Sequence, residues 1–299
     1  MSRVLIFGTT GRVGGATLAA LDALPDDQCP KIRVFVRRPQ AVPTTRHTIE
    51  TSVGTLDDAG PLRRAFDGID TAFLVTGDDR NQVAMERAVI IAAAASGRPR
   101  IVKLSAITAG LTPPASFGKF HGAVEDDLRG SGLPFTILRP TMFFQSLELF
   151  ADPVKKAGRL IAPSETGAVS FVDLRDVAAI AAKTLVEPGH EGKTYTLTGA
   201  AALTMADVAV ALSIALDRTV RHVSPPLMVG RVMMRLAGGM DWWLAGQVTD
   251  LFAAIRRDAE SEVSDDVARL TGRAPISLKA YLADRADFWS AHTSDSNKG

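Results

Sequence analysis

At 299 residues the chain exceeds the usual size of a single core, so one large α/β unit or a core with an appendage is expected. Hydrophobic residues make up 46% and charged residues 22%, which excludes wholesale disorder. Thirty-four Lys and Arg face 33 Asp and Glu, and a net charge of +1 creates no bulk field toward nucleic acid or a membrane surface.

The run from Val4 to Phe7 reads as a strand rather than a signal peptide, because no small-residue cleavage pattern follows it. Further near-continuous apolar runs occur at Ile32–Val36, Ala72–Val75, Ile101–Leu104 and Phe135–Leu138, with a weaker strand near Thr48–Ser52. Such runs suit strands buried on both faces of a parallel sheet. Helical patterns fill the gaps at Gly11–Leu24, Asp58–Phe66, Arg80–Ser96 and Phe117–Ser131. The alternation predicts an α/β fold, a doubly wound parallel sheet. After Pro140 the rhythm loosens. Strands are expected at Val169–Val172 and Thr194–Leu197, with a helix from Asp173 to about Val186 between them. The last hundred residues read as mostly helical, broken at Pro225-Pro226 and Gly238-Gly239, and a polar tail starts at Thr293. The expected organisation is a nucleotide-binding core over 1–150 that also receives 168–200, with 151–299 mainly a smaller helical lid. Cys29, the one cysteine, makes no internal disulfide, and no Cys/His cluster has metal-ligand spacing. The apolar runs are too short for a bilayer, and a cytoplasmic monomer or homodimer acting on a small molecule, with no nucleic-acid or membrane partner, is expected.

Gly8-Thr9-Thr10-Gly11-Arg12-Val13-Gly14-Gly15 joins the first strand to the first helix. Gly8 permits a tight turn, Gly11 lets the backbone approach a pyrophosphate, and Gly14 allows the helix to pack closely on the sheet. The N–H groups of Thr10, Arg12 and Val13 then sit where a helix start binds an anion. The second strand runs into Arg37-Arg38, where an NAD site carries an acid that accepts from the ribose hydroxyls. Two guanidiniums, with Arg12 in the same field, suit a 2′-phosphate, so the expected cofactor is NADP(H) rather than NAD(H).

The stretches GTTGRVGG (8–15), VRRP (36–39), LDDAGPLRRAFDGIDTAFLVTG (56–77), VKLSAI (102–107), HGAVEDDLRGSGLPFTILRPTMFFQS (121–146) and VSFVDLRDVAAIAA (169–182) together resemble the NmrA-like group of atypical short-chain dehydrogenases/reductases. GRAPISLKAYLAD (272–284) is similar to that family's terminal segment. The resemblance implies a Rossmann core, NADP(H), and a substrate cleft under a C-terminal lid. It also implies that Thr76 and Gly77 pass close to the adenine-ribose and phosphates, and that Ser105, Pro140, Met142 and Phe143 lie near the nicotinamide. Relatives of this kind include quinone and dye reductases and redox-sensing regulators without known catalysis.

Ordinary short-chain dehydrogenases use a Tyr-x-x-x-Lys pair, the Tyr transferring the proton. Counting back from Ser131, those two positions fall on Phe117 and His121. Tyr-based acid–base chemistry is therefore disfavoured, and three readings stay open. One is a reductase whose acceptor (a quinone, an enone or a dye-like ring) takes hydride with little enzymatic proton delivery. In another, His121 is a working acid or ribose ligand. In the last, NADP(H) is bound without turnover, as a regulator. A bland alternative for His121 is a surface pair with Glu125, four residues on. Met142, Phe143 and Phe144 are the candidate acceptor contacts, being flat or sulfur-bearing apolar groups after the sixth strand.

Overall fold

In the computed structural model, which describes residues 2–112, 115–236 and 238–290, the apolar runs become parallel strands. The polar tail from Thr293 lies outside the described residues. The chain divides into two units, 1–110 with 117–140 and 174–197, and 111–116 with 141–173 and 198–299.

The first unit carries the seven-stranded sheet. Its strands are β1 (Arg3–Phe7), β2 (Lys31–Val36), β3 (Glu50–Val53), β4 (Thr71–Leu74), β5 (Arg100–Leu104), β6 (Phe135–Pro140) and β9 (Lys193–Leu197), in spatial order β3-β2-β1-β4-β5-β6-β9. Every pairing is parallel. The chain runs outward in both directions from β1 and β4, so the topological switch lies between them. On one face α1 (Arg12–Asp22) packs against α6 (Leu174–Val186). The helices α2 (Ala59–Ala65), α3 (Gln82–Ala94) and α4 (Gly118–Gly130) pack in series with one another. Leu5, Phe7, Phe35, Leu62, Phe66, Leu74, Val89, Ile90, Val124 and Leu128 form one buried core.

The helices start one or two residues later than their patterns suggested. Gly11, Asp58 and Phe117 are caps rather than helical residues, and only Asp58 caps with its side chain, accepting from the Gly60 N–H at 3.0 Å. A cap shares the burial pattern of its helix without its dihedrals, so periodicity alone does not exclude it.

The second unit holds α5 (Ala151–Ala157), two small two-stranded sheets and the C-terminal helices. β7 (Arg159–Ile161) pairs with β11 (Arg221–Val223), and β8 (Ala168–Val169) with β10 (Leu203–Thr204). The helices are α7 (Met205–Ala215), α8 (Leu227–Leu236), α9 (Trp242–Ile255), α10 (Asp266–Thr271), α11 (Leu278–Asp284) and α12 (Ala286–Ser290). The expected strand at Val169–Val172 shrinks to Ala168–Val169 and lies outside the main sheet. The reason is visible in its backbone: the Ser170 N–H goes to the Glu260 carbonyl and the Val172 N–H to the Met142 carbonyl, both irregular partners. Phe171 and Val172 are nonetheless buried, so the sequence carried a strand's hydropathy without a strand's neighbours. No helix among the described residues is long and apolar enough to cross a membrane.

Candidate functional site

Gly8 ends β1 with φ +67°, and a Cβ there would lie 2.5 Å from the Val75 carbonyl oxygen. A Cβ on Gly14 would lie 2.2 Å from the Gly8 carbonyl oxygen. Both positions are therefore closed to any side chain, and the start of α1 is drawn down onto the end of the strand. Gly11, the N-cap, supplies no capping side chain, and the first turn holds no acid. The opening N–H groups of such a turn have no intrahelical acceptors and favour an anion. Thr10, Gly11 and Arg12 are exposed beside them, while Val13 is buried under the turn. Thr9 is buried and its Oγ1 has no hydrogen-bond partner among the described residues. An uncapped turn, a cradle that a Cβ would fill and an orphaned hydroxyl together fit a dinucleotide pyrophosphate.

Arg37 and Arg38 follow β2 directly and are exposed, and neither makes an ion pair among the described residues. Arg33, within the strand, is by contrast held by Glu50 at 2.6 Å. Thr76 and Gly77 follow β4 across the switch, Ser105 follows β5, and Pro140 is the last residue of β6. All of these predicted cofactor residues lie in the first unit, at the carboxyl ends of parallel strands, where open α/β sheets bind ligands.

Behind the loop after β4 lies a polar cluster that sequence reasoning missed. Lys103, the residue before the last of β5, is fully buried with its Nζ 2.8 Å from Glu86 Oε2 of α3, itself fully buried. Thr76 Oγ1 donates to Glu86 Oε1 at 2.6 Å, and Gln82 Nε2 donates to the same oxygen at 3.2 Å. His121 Nδ1 sits 3.2 Å from Lys103 Nζ and 3.3 Å from Gln82 Nε2. Burial, reinforced by the Lys103 ammonium, holds the His121 imidazole well below its usual range, so it is neutral near pH 7. The position of the helix is set at Gly118, where a Cβ would lie 2.4 Å from the Thr108 carbonyl carbon.

The surface-pair reading of His121 with Glu125 does not survive. Glu125 is fully buried and turned the other way, accepting from Ser105 Oγ, from Arg139 Nε and Nη2 at 2.9 and 2.6 Å, and from Arg129 at 2.7 Å. Burial acts to raise the Glu125 carboxyl, but the hydrogen bonds from Arg139 and Ser105 outweigh it and hold it below the ordinary value. The signal that could have found these groups was in the sequence: a Lys within an apolar run must be paired if the run is buried.

Both tyrosines are engaged away from α4. Tyr195 on β9 has its hydroxyl 2.8 Å from His190 Nδ1, and Tyr281 donates to Glu148 in the second unit. Among the predicted acceptor contacts, Met142 and Phe143 are half-buried. Phe144 is buried, with its ring stacked on Phe171 at 5.8 Å and on Tyr281 at 5.5 Å, and its surface is taken up by the core of the second unit. The Met142 N–H donates to Glu260 at 2.8 Å, and burial pushes that carboxyl up to about 7.

The sheet order, the glycine turn and the uncapped helix start define a Rossmann-type nucleotide-binding protein. A family model described as NAD(P)H-binding matches residues 8–188. The chain is 32% identical over 270 residues to an NAD(P)H azoreductase of Xenophilus azovorans, covering 90% of this chain and 93% of that one. It is 31% identical over 286 residues to a (4-alkanoyl-5-oxo-2,5-dihydrofuran-3-yl)methyl phosphate reductase of Streptomyces griseus, covering 95% and 98%. The Escherichia coli NADPH-dependent quinone oxidoreductase complexed with NADPH superimposes with a TM-score of 0.85 at 24% identity, covering 94% and 99% of the two chains. The Citrobacter triphenylmethane reductase complexed with NADP(H) gives 0.82 at 22%, again covering 94% and 99%, and these two likenesses speak to the fold. The chain belongs to this NAD(P)H-binding family.

Proposed function

We propose that the protein is an NADPH-dependent reductase that passes hydride to a small conjugated acceptor, a quinone, enone or dye-like ring, without a Tyr–Lys dyad. The observation that carries the cofactor choice is the unpaired Arg37-Arg38 step at the end of β2, beside a glycine cradle closed to side chains. Two guanidiniums bind a 2′-phosphate bidentately, which a lone ribose hydroxyl does not exploit. When bound, the reduced nicotinamide supplies the hydride. The backbone at Gly11–Gly14 holds the pyrophosphate, and Thr76, Gly77, Ser105 and Pro140 are the strand-end positions assigned to the rest of the dinucleotide.

The acceptor class follows from what α4 lacks. Phe117 stands where a proton-transferring Tyr would, so the favoured acceptors are electron-poor systems that take hydride first and a proton from water afterwards. The azoreductase and quinone oxidoreductase names of the relatives support this class. Met142 and Phe143 are assigned to the acceptor, and Phe144 to packing. The test is NADPH oxidation followed at its absorbance with a panel of quinones, enones, azo compounds and triphenylmethane dyes. Acceptor-dependent loss of absorbance with at least one class is expected. Tight NADPH binding with no turnover across the panel would overturn the reductase and favour a non-catalytic NADP(H)-binding regulator.

A further inference from the structure

We propose that Lys103 positions His121 as an imidazole whose one proton sits on Nε2, so that His121 donates a neutral N–H hydrogen bond to a lone pair on a bound molecule. This rests on the reductase reading for its purpose, but not for its geometry. An ammonium has three protons and no lone pair. Lys103 is ion-paired with Glu86 Oε2, donates to the Leu104 carbonyl oxygen, and has its Nζ 3.2 Å from His121 Nδ1. The third contact is a hydrogen bond only if Nδ1 offers its lone pair, and the Gln82 amide N–H aimed at the same nitrogen requires the same. The remaining proton must then be on Nε2, for which no acceptor exists among the described residues. His121 is partly exposed, so this N–H is open to a ligand.

The Glu86–Lys103 pair makes the arrangement stiff. Glu86 is fixed by Thr76 and Gln82 as well as by Lys103, so the ammonium cannot swing away without stranding a buried carboxylate. The charged groups facing the ring are Lys103 from β5 and, behind it, Glu86 from α3. The ion pair between α3 and α4, Arg87 with Asp127, is more exposed. Because both Lys103 and burial oppose a second proton on the ring, His121 acts as a polarising donor and not as an imidazolium acid. Its partner is an oxygen or nitrogen lone pair, either on the acceptor or on a ribose hydroxyl of the dinucleotide.

The decisive readout needs no turnover. Nitrogen-15 imidazole spectra of the apoprotein, with the His121 signals assigned by their loss in His121→Gln, should show one protonated nitrogen, Nε2, unchanged from pH 6 to 8. An Nδ1–H tautomer, or an imidazolium signal titrating in that range, would overturn the proposal while leaving the reductase reading intact. In Lys103→Met the Nδ1 lone pair loses its ammonium donor, and the Nδ1 signal should shift. Should that variant not fold, Gln82→Leu should shift the Nδ1 signal, and no shift would count against the network. On the reductase itself, His121→Leu should lower turnover about 10²-fold, the loss that follows removal of one preorganised donor. His121→Gln, whose amide N–H stands near the Nε2 position, should recover about tenfold of it. Loss in kcat would assign the acceptor as the partner, and loss in NADPH affinity by calorimetry would assign the ribose. Equal loss in the Leu and Gln variants would mean that the N–H is not used.

Discussion

The buried carboxylates beside the candidate site in the first unit and Glu260 in the second meet burial in opposite ways. In the first, every buried charge the site depends on is paired: Glu86 with Lys103, and Glu125 with Arg139 and Arg129. In the second, Glu260 is buried with a single Met142 N–H on its carboxyl. A paired charge keeps its ionisation at neutral pH and fixes its neighbours in place. An unpaired buried carboxyl lowers its cost by holding a proton instead. The first unit therefore carries geometry that pH changes little, and the second carries a group that titrates near neutrality.

The largest expected effect is on the paired side. Glu86→Leu strands the Lys103 ammonium and should cost about 3–5 kcal/mol in urea unfolding, whereas Glu86→Leu with Lys103→Met should recover most of that. If the single change cost no more than loss of an exposed pair, the comparison would fail. On the unpaired side, Glu260 holds its proton up to about pH 7 in the folded protein and up to about 4.5 when unfolded. The folded state thus binds more protons between those values, and stability falls as pH rises through them, by about 3 kcal/mol in all. Glu260→Gln should flatten that slope and leave the variant more stable than wild type above pH 7.

His121 sharpens the contrast because its sign is reversed. Its folded-state imidazole stays neutral well below the ordinary value of 6.5. As pH drops below about 6.5 the unfolded chain binds a proton that the folded one refuses, so stability falls with falling pH. His121→Gln should remove this acid-side loss in the same unfolding series. The smallest effects belong to exposed helical pairs. Lys183→Ala in the first unit and Lys156→Ala in the second should each shift stability by less than about 0.5 kcal/mol.

The sheet was legible in the chain because buried parallel strands are apolar on both faces, and five such runs stand between Val4 and Leu138. The nucleotide turn was legible because its glycines are demanded by backbone contacts, which substitution would break whatever the context. Val169–Val172 misled because burial against Glu260 and Met142 produces the same hydropathy as a ladder. Lys103 was passed over inside the run Ile101–Leu104, where its partner Glu86 lies on a helix and no local pattern joins the two. Helical spacing pairs Glu125 with His121, whereas the structure turns it to Arg139, fourteen residues on in β6. Spacing along a helix constrains which side chains share a face; it does not say which of them finds a better partner elsewhere.

Calorimetric titration of the folded protein with NADPH and with NADH, repeated on the Arg37→Ala/Arg38→Ala double variant, tests the cofactor assignment most directly. Hydrogen bonds to a charged phosphate contribute about 1.5–3 kcal/mol each, so NADPH should bind at least about tenfold more tightly than NADH, and the double variant should lose that preference while still binding NADH. Equal affinity of the unaltered protein for the two dinucleotides, or binding of neither, would contradict the account.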